Sequence, residues 1–183
     1  MTAPVHTLIA LVHDRPGVLH RIVTLLRRRG YNIVSLSVGR SETPGISRLT
    51  LAVSVDEATQ VVKQLDRLVE VIGVADATDA PTVVRETALL KVRATSAALT
   101  HIAEETLAAG GRVLDLGPDE VIVEITDAPE RVEQFVSAMR RFGIAELMRT
   151  GRLAMMRGPT PRVLEAPNDY RAQADGAPTE EAA

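Results

Sequence analysis

The 183-residue chain has no cysteine and no tryptophan, only four aromatic residues (Tyr31, Phe135, Phe142 and Tyr170) and only two lysines, Lys63 and Lys91. Each shortage removes a class of function. Without cysteine there is no disulfide framework, thiol nucleophile or thiolate metal site. Four scattered aromatics do not make a stacking platform for single-stranded nucleic acid. Neither lysine closes a glycine-rich phosphate loop, and neither a GxGxxG nor a GxSxG string occurs. No stretch reaches the roughly 18 apolar residues of a membrane span. The first residues lack the basic region and the long apolar run of a signal peptide. A soluble, cytoplasmic protein is expected, with neither nucleic acid nor membrane as a partner.

What the chain does have is aliphatic bulk: 45% of it is hydrophobic, nearly all valine, leucine, isoleucine and alanine. A chain of this length buries roughly 70% of its unfolded surface, enough to fold without staples. Of the net charge of −3, all falls in residues 159–183, and residues 1–158 carry 19 bases against 19 acids. A body without net positive charge is a poor partner for DNA. The last 25 residues hold four prolines, five acids and few large apolar side chains, so they read as an acidic, disordered tail.

The apolar periods alternate between strand and helix. Residues 7–12 form a short apolar run that stops at His13-Asp14-Arg15-Pro16-Gly17, a turn sequence. Val18, Leu19, Ile22, Val23, Leu25 and Leu26 then fall on one helical face, ended by Gly30. In 31–40, Val34, Leu36 and Val38 alternate with small residues, predicting a strand with one buried face. Leu49, Leu51 and Val53 mark the next strand, 56–68 a helix and 69–77 a closing strand. The same order recurs as a strand over 86–95, a helix over 96–109, strands at 112–116 and 120–126, a helix over 129–142 and a last strand within 144–156. The fold class is therefore α+β, with two consecutive ferredoxin-like βαββαβ domains. They occupy residues 5–79 and 84–158, joined through a polar stretch containing Pro81.

No catalytic constellation emerges. Glu104-Glu105 and Glu180-Glu181 are adjacent pairs that do not share a helix face and read as solvated charge. His6, His13 and His20 fall on different elements, so surface or internally satisfied histidines are preferred over a metal site built from His13, Asp14 and His20. Arg27-Arg28-Arg29 sits where cations complement a helix C-terminus. One segment has more specific physics. The loop from His13 to Gly17 delivers the chain to a helix N-terminus, whose first amides lack internal acceptors and suit a carboxylate. Pro16 is tolerated there, and Gly17 allows a close approach to the backbone. Asp14 is placed either to cap the helix or to meet an ammonium group, roles that are compatible. Asn32 adds a donor and an acceptor. This set suits a zwitterion, and the aliphatic surroundings suit an aliphatic one.

The stretch Leu11-Val12-His13-Asp14-Arg15-Pro16-Gly17-Val18-Leu19-His20-Arg21-Ile22, followed by Arg29-Gly30-Tyr31-Asn32-Ile33 and Ser35-Leu36, resembles the ACT domain of acetolactate (acetohydroxyacid) synthase small subunits. So do Ser47-Arg48-Leu49-Thr50 and the run from Gln64 to Ile72. Arg85-Glu86, Leu89-Leu90-Lys91-Val92, Phe142-Gly143-Ile144-Ala145-Glu146, Arg149-Thr150-Gly151 and Arg157-Gly158 resemble the family's C-terminal domain. The resemblance spans about residues 5–158. It implies a non-catalytic regulatory subunit that activates a catalytic large subunit and confers feedback inhibition by valine, or by leucine or isoleucine. Thiamine diphosphate, Mg and FAD would then reside on the catalytic partner, with no cofactor on this chain. It further implies a homodimer through the ACT domain, with the effector at the interface. The family's effector positions fall on Asp14, Gly17, Val18, Asn32, Ile33 and Gly39, with His20 close by. Family members commonly carry Asn at the Asp14 position and Ala or a small polar residue at that of His20. Arg149, Thr150, Gly151 and Arg157 are the implied partner contacts. The competing expectation is a free-standing ACT-type amino-acid sensor acting on another enzyme or a transcription factor.

Overall fold

A computed structural model describes residues 3–167 and Tyr170. The elements run β1 (Val5–His13), α1 (Val18–Arg28), β2 (Asn32–Arg40), β3 (Ile46–Ser54), α2 (Ala58–Leu65), β4 (Val71–Asp76), β5 (Thr82–Arg93), α3 (Ser96–Ala108), β6 (Arg112–Leu116), β7 (Glu120–Asp127), α4 (Pro129–Met139), β8 (Ile144–Arg149) and β9 (Leu153–Met156). The first sheet has the order β2-β3-β1-β4; the second repeats it as β6-β7-β5-β8, with β9 also pairing with β5. Both are α+β units of the expected ferredoxin-like order. A register shift falls between Leu11 and Val12 in the first unit and between Lys91 and Val92 at the matching place in the second, so the repeat extends to its irregularities. The described residues divide into one compact unit of 3–83, 154–167 and Tyr170 and another of 84–153. The division falls inside β5, which starts at Thr82 and takes up much of the stretch that reads as a polar linker.

In the first unit the helical period of α1 puts Val18, Ile22 and Leu26 on the sheet. They pack with Val61 and Leu65 of α2 over Leu8, Ala10, Val12, Leu49, Leu51 and Val53. Gly30, at φ 72°, ends α1 as expected, and the Tyr31 amide donates back to the Leu26 carbonyl. The second core gathers Leu90, Val92, Ile102, Val121, Val123, Phe135 and Met139 in the same way.

β2 departs from simple alternation. A bulge between Ile33 and Ser35 leaves Val34 unpaired and 53% exposed, while Ile33 and Leu36 both reach the core cluster. The single buried face expected of Val34, Leu36 and Val38 is therefore broken at its first member. Val38, at the end of this edge strand, is 48% exposed as well. The helix expected over 129–142 ends at Met139 and tightens into a 3-10 turn over Arg140–Phe142.

The reading of 159–183 as a tail with nothing to pack also needs correction, at its start. Ile9 and Leu11 lie on the face of β1 away from the helices and are nonetheless buried. Beside Leu11 in the sheet stands Gly73, and the backbone carbonyl of Val163 lies so close that a Cβ at Gly73 would sit 1.7 Å from it. Val163 belongs to a 3-10 turn, Arg162–Leu164, in which Leu164 is buried, as is Ala166 just beyond. Residues 159–167 thus lie across the second face of the first sheet, with Arg48 donating to the Ala154 carbonyl on the approach. Two aliphatic side chains outweigh the prolines and acids around them, because each finds an apolar surface that the helices leave uncovered. Residues 168–169 and 171–183 lie outside the described residues. Gly73→Ala should force that carbonyl away and cost about 1–3 kcal/mol as overpacking does; limited proteolysis should then cut within 159–167 faster than in the unaltered chain.

Candidate functional site

The loop after β1 is held by its own backbone. The amide of His13 donates to Glu70 O at 2.9 Å, that of Asp14 to Gly45 O at 2.8 Å and that of Arg15 to His13 O at 3.0 Å. Gly17, at φ 87°, is the N-cap of α1, and no side chain caps this helix. Asp14 therefore does not serve as the cap, the first of the two roles open to it. Val18 donates to Arg15 O at 3.4 Å and Arg21 to Gly17 O, leaving the amides of Leu19 and His20 without an acceptor among the described residues. The partial positive charge of the helix end stays available to an anion. Nothing lies within 4 Å of a Cβ built at Gly17. The glycine is required there by backbone conformation, not by crowding.

Beside this helix end is a hollow of about 80 Å³. Val18, Leu19, Ile22, Val38 and Leu49 form its apolar walls, and Asp14, Arg15 and Ser47 bring polar groups to it. Its aliphatic walls suit a small branched side chain held beside the helix end. It opens at the end of edge strand β2, where Leu19 and Val38 are each nearly half exposed. Of the expected effector positions, Asp14, Gly17 and Val18 gather here, with Gly39 next to Val38 on β2. His20 points outward on α1 with its Nε2 3.5 Å from Thr24 Oγ1, and does not line the hollow. Asn32 and Ile33 stand at the opposite end of β2, about 20–23 Å from Gly39 at the usual strand rise. One chain does not bring them to the loop. Reading the sequence missed Val38 and Ser47, which enter only because β2 and β3 end beside the loop. His13, which reads as a satisfied histidine, accepts or donates through Nδ1 to the Tyr170 hydroxyl at 2.9 Å.

At the matching junction of the second unit the chemistry differs. The Thr95 hydroxyl accepts the Ala98 amide of α3 at 3.3 Å, so a side chain occupies the helix end that Gly17 leaves open. A cleft of about 750 Å³ opens there among Lys91, Arg93, Asp115, Asp119 and Phe142. Lys91 is paired with Glu146 at 2.5 Å, and that hydrogen-bonded carboxylate raises its pKa above the ordinary lysine value. Arg149, expected at a partner surface, donates to both oxygens of buried Glu86 at 2.8 Å and to Glu133 at 2.7 Å. These bonds, Glu86 first, raise its pKa further above the arginine range. Thr150 pairs with Thr87 through both main-chain and side-chain atoms, and Gly151 is buried at φ 76°. These three residues close the β8–β9 turn, whereas Arg157 is exposed.

Residues 8–73 match the family model described as the AHAS small subunit-like ACT domain, and residues 85–158 that of the small subunit of acetolactate synthase. The probable acetolactate synthase small subunit of Methanothermobacter thermautotrophicus is 44% identical over 161 residues, which are 86% of this chain and 96% of that protein. The chain belongs to the acetolactate synthase small-subunit family. The small subunit of Mycolicibacterium smegmatis is 39% identical over 158 residues, covering 85% of this chain and 93% of its own. The crystal structure of the Thermotoga maritima acetolactate synthase small subunit superposes with a TM-score of 0.79 at 38% identity, over 86% of this chain and 99% of that one. Among the described residues no helix is long and apolar enough to cross a membrane.

For this small-subunit chain, two substitutions separate conformation from charge pairing. Gly17→Ala, with open space but left-handed backbone, should cost about 1–2 kcal/mol, read by urea unfolding. Arg149→Ala strands the Glu86 carboxylate, which is 5% exposed. Its cost should be about 3 kcal/mol, the low end for breaking a buried pair because the guanidinium itself is partly wet, in the same measurement.

Proposed function

We propose that this chain is the regulatory subunit of acetolactate synthase, that it docks on the catalytic large subunit and raises its activity, and that a branched-chain amino acid, valine first, reverses that effect. Thiamine diphosphate, Mg and FAD belong in this reading to the large subunit, and the complex is cytoplasmic. The observation that carries the effector reading is the uncapped N-terminus of α1 beside an apolar hollow of about 80 Å³. The helix-end amides suit the effector carboxylate, Asp14 its ammonium group and the hollow its isopropyl side chain.

The geometry of β2 supports a second copy as the other wall of the hollow. β2 is a nine-residue edge with no proline or lysine to discourage pairing, and it exposes Val34 and Val38. An antiparallel pairing of two such edges centred on Leu36 would set Val34 opposite Val38 and Ile33 opposite Gly39. Asn32 and Ile33 of one copy would then arrive beside the loop of the other, reuniting the effector positions that one chain holds apart. Gly39 has ordinary backbone angles and open space around it, so nothing within the chain demands a glycine there. A ligand or a partner strand close to that backbone gives it a role.

Binding of the effector across this interface changes activity only as far as it favours one arrangement of the complex over another, typically by ~1–3 kcal/mol, or about 5–150-fold. The test is reconstitution of the purified chain with the large subunit, following acetolactate formation with and without valine. The chain should raise the rate and valine should lower it again. Gly17→Asp should abolish the response to valine while activation persists, because its carboxylate occupies the effector's own position. Unchanged inhibition of that variant would refute the site. A chain that binds valine without altering any acetolactate synthase would instead be a free-standing sensor.

A further inference from the structure

The effector loop has a second support, from the far end of the chain. Tyr170 follows residues 159–167, which lie across the second face of the first sheet, and its amide donates to Pro167 O at 3.1 Å. Its hydroxyl lies 2.9 Å from His13 Nδ1, and the two rings are 5.6 Å apart between centroids. On its other side the ring lies against Gly45, where a Cβ would stand 3.3 Å from Tyr170 Cε1. These two neighbours are among the residues that hold the loop. The Gly45 carbonyl accepts the Asp14 amide and the His13 carbonyl accepts the Arg15 amide. Tyr170 therefore bears on two of the three backbone anchors of the segment that presents Asp14 and Gly17, without lining the hollow itself.

We propose that residues 159–167 act, with Tyr170, as a strap that fixes the effector loop, Tyr170 being its positioning residue. The inference rests on the effector reading given above. The strap is held at a distance from the loop by buried Leu164 and Ala166 and by the Val163 carbonyl against Gly73, so its attachment and the loop's geometry are coupled through a continuous covalent segment. A loop already fixed loses less freedom when a ligand binds, and loosening it weakens binding. By linkage, a bound effector protects the strap in turn.

Tyr170→Phe, Tyr170→Ala and Gly73→Ala in the full chain separate the possibilities. Hydrogen exchange without valine comes first. Tyr170→Ala should speed exchange at the Asp14 and Arg15 amides while the amides of α1 and β3 keep their rates. Unchanged loop exchange, or a uniform rise across the unit, overturns the strap whatever the ligand. With the reconstituted complex, the midpoint of valine inhibition is normalised to each variant's own uninhibited rate. Tyr170→Phe, which loses only the hydroxyl, should raise that midpoint roughly fivefold, the worth of one neutral hydrogen bond, and Tyr170→Ala should raise it further. Gly73→Ala, which displaces the strap without lining the hollow, should shift it in the same direction. Midpoints equal to that of the unaltered chain would overturn the proposal. If the unaltered chain itself ignores valine, the effector reading fails while the exchange result still decides on the strap.

Discussion

The structure of the first unit turns on one strand that has no face to spare for water. Leu8, Ile9, Ala10, Leu11 and Val12 of β1 are all buried, alternate members pointing to opposite sides of the sheet. Two helices cover one side, as the ferredoxin-like order provides. The other side needs a cover as well, and burying a leucine-sized side chain is favourable by about 1.5–3 kcal/mol. Residues 159–167 supply it. From that requirement follow the glycine at position 73, the close approach of the Val163 carbonyl and the return of the chain to the loop at His13.

The two units show how one topology is turned to different chemistry by a few side chains. In the first, a left-handed glycine starts α1 and leaves amides open; in the second, Thr95 caps α3 with its own hydroxyl. Arg149 and Glu86 tie β8 to β5 and α4 in the second unit, an internal brace and not a free cation. The open helix end of the first unit and the bracing of the second are thus local decisions on a shared frame.

The frame was legible in the sequence because its signals are local. Periods of two and of 3.6 residues, with turns at Gly17, Gly30 and Gly45, are enough to order the elements. What escaped depends on residues that meet only in three dimensions. The bulge that turns Val34 out is invisible in a run that alternates regularly. Leu164 and Ala166 look too sparse to pack until the uncovered side of β1 is known. Asp14 resembles a cap until Gly17 takes that place. Asn32 and Ile33 share a motif with the loop yet sit at the other end of β2, and that separation is the consequence of strand rise alone.

The cover on β1 has a practical side. Read by composition, residues 159–183 are what a protein chemist would trim before crystallisation or labelling. Cutting at Gly158 would strip the lid from Ile9 and Leu11 and leave a flat aliphatic sheet face in water, beside the open β2 edge. Such a chain would be drawn into self-association on the wrong surface, and the oligomer measured for it would describe the wound and not the native assembly.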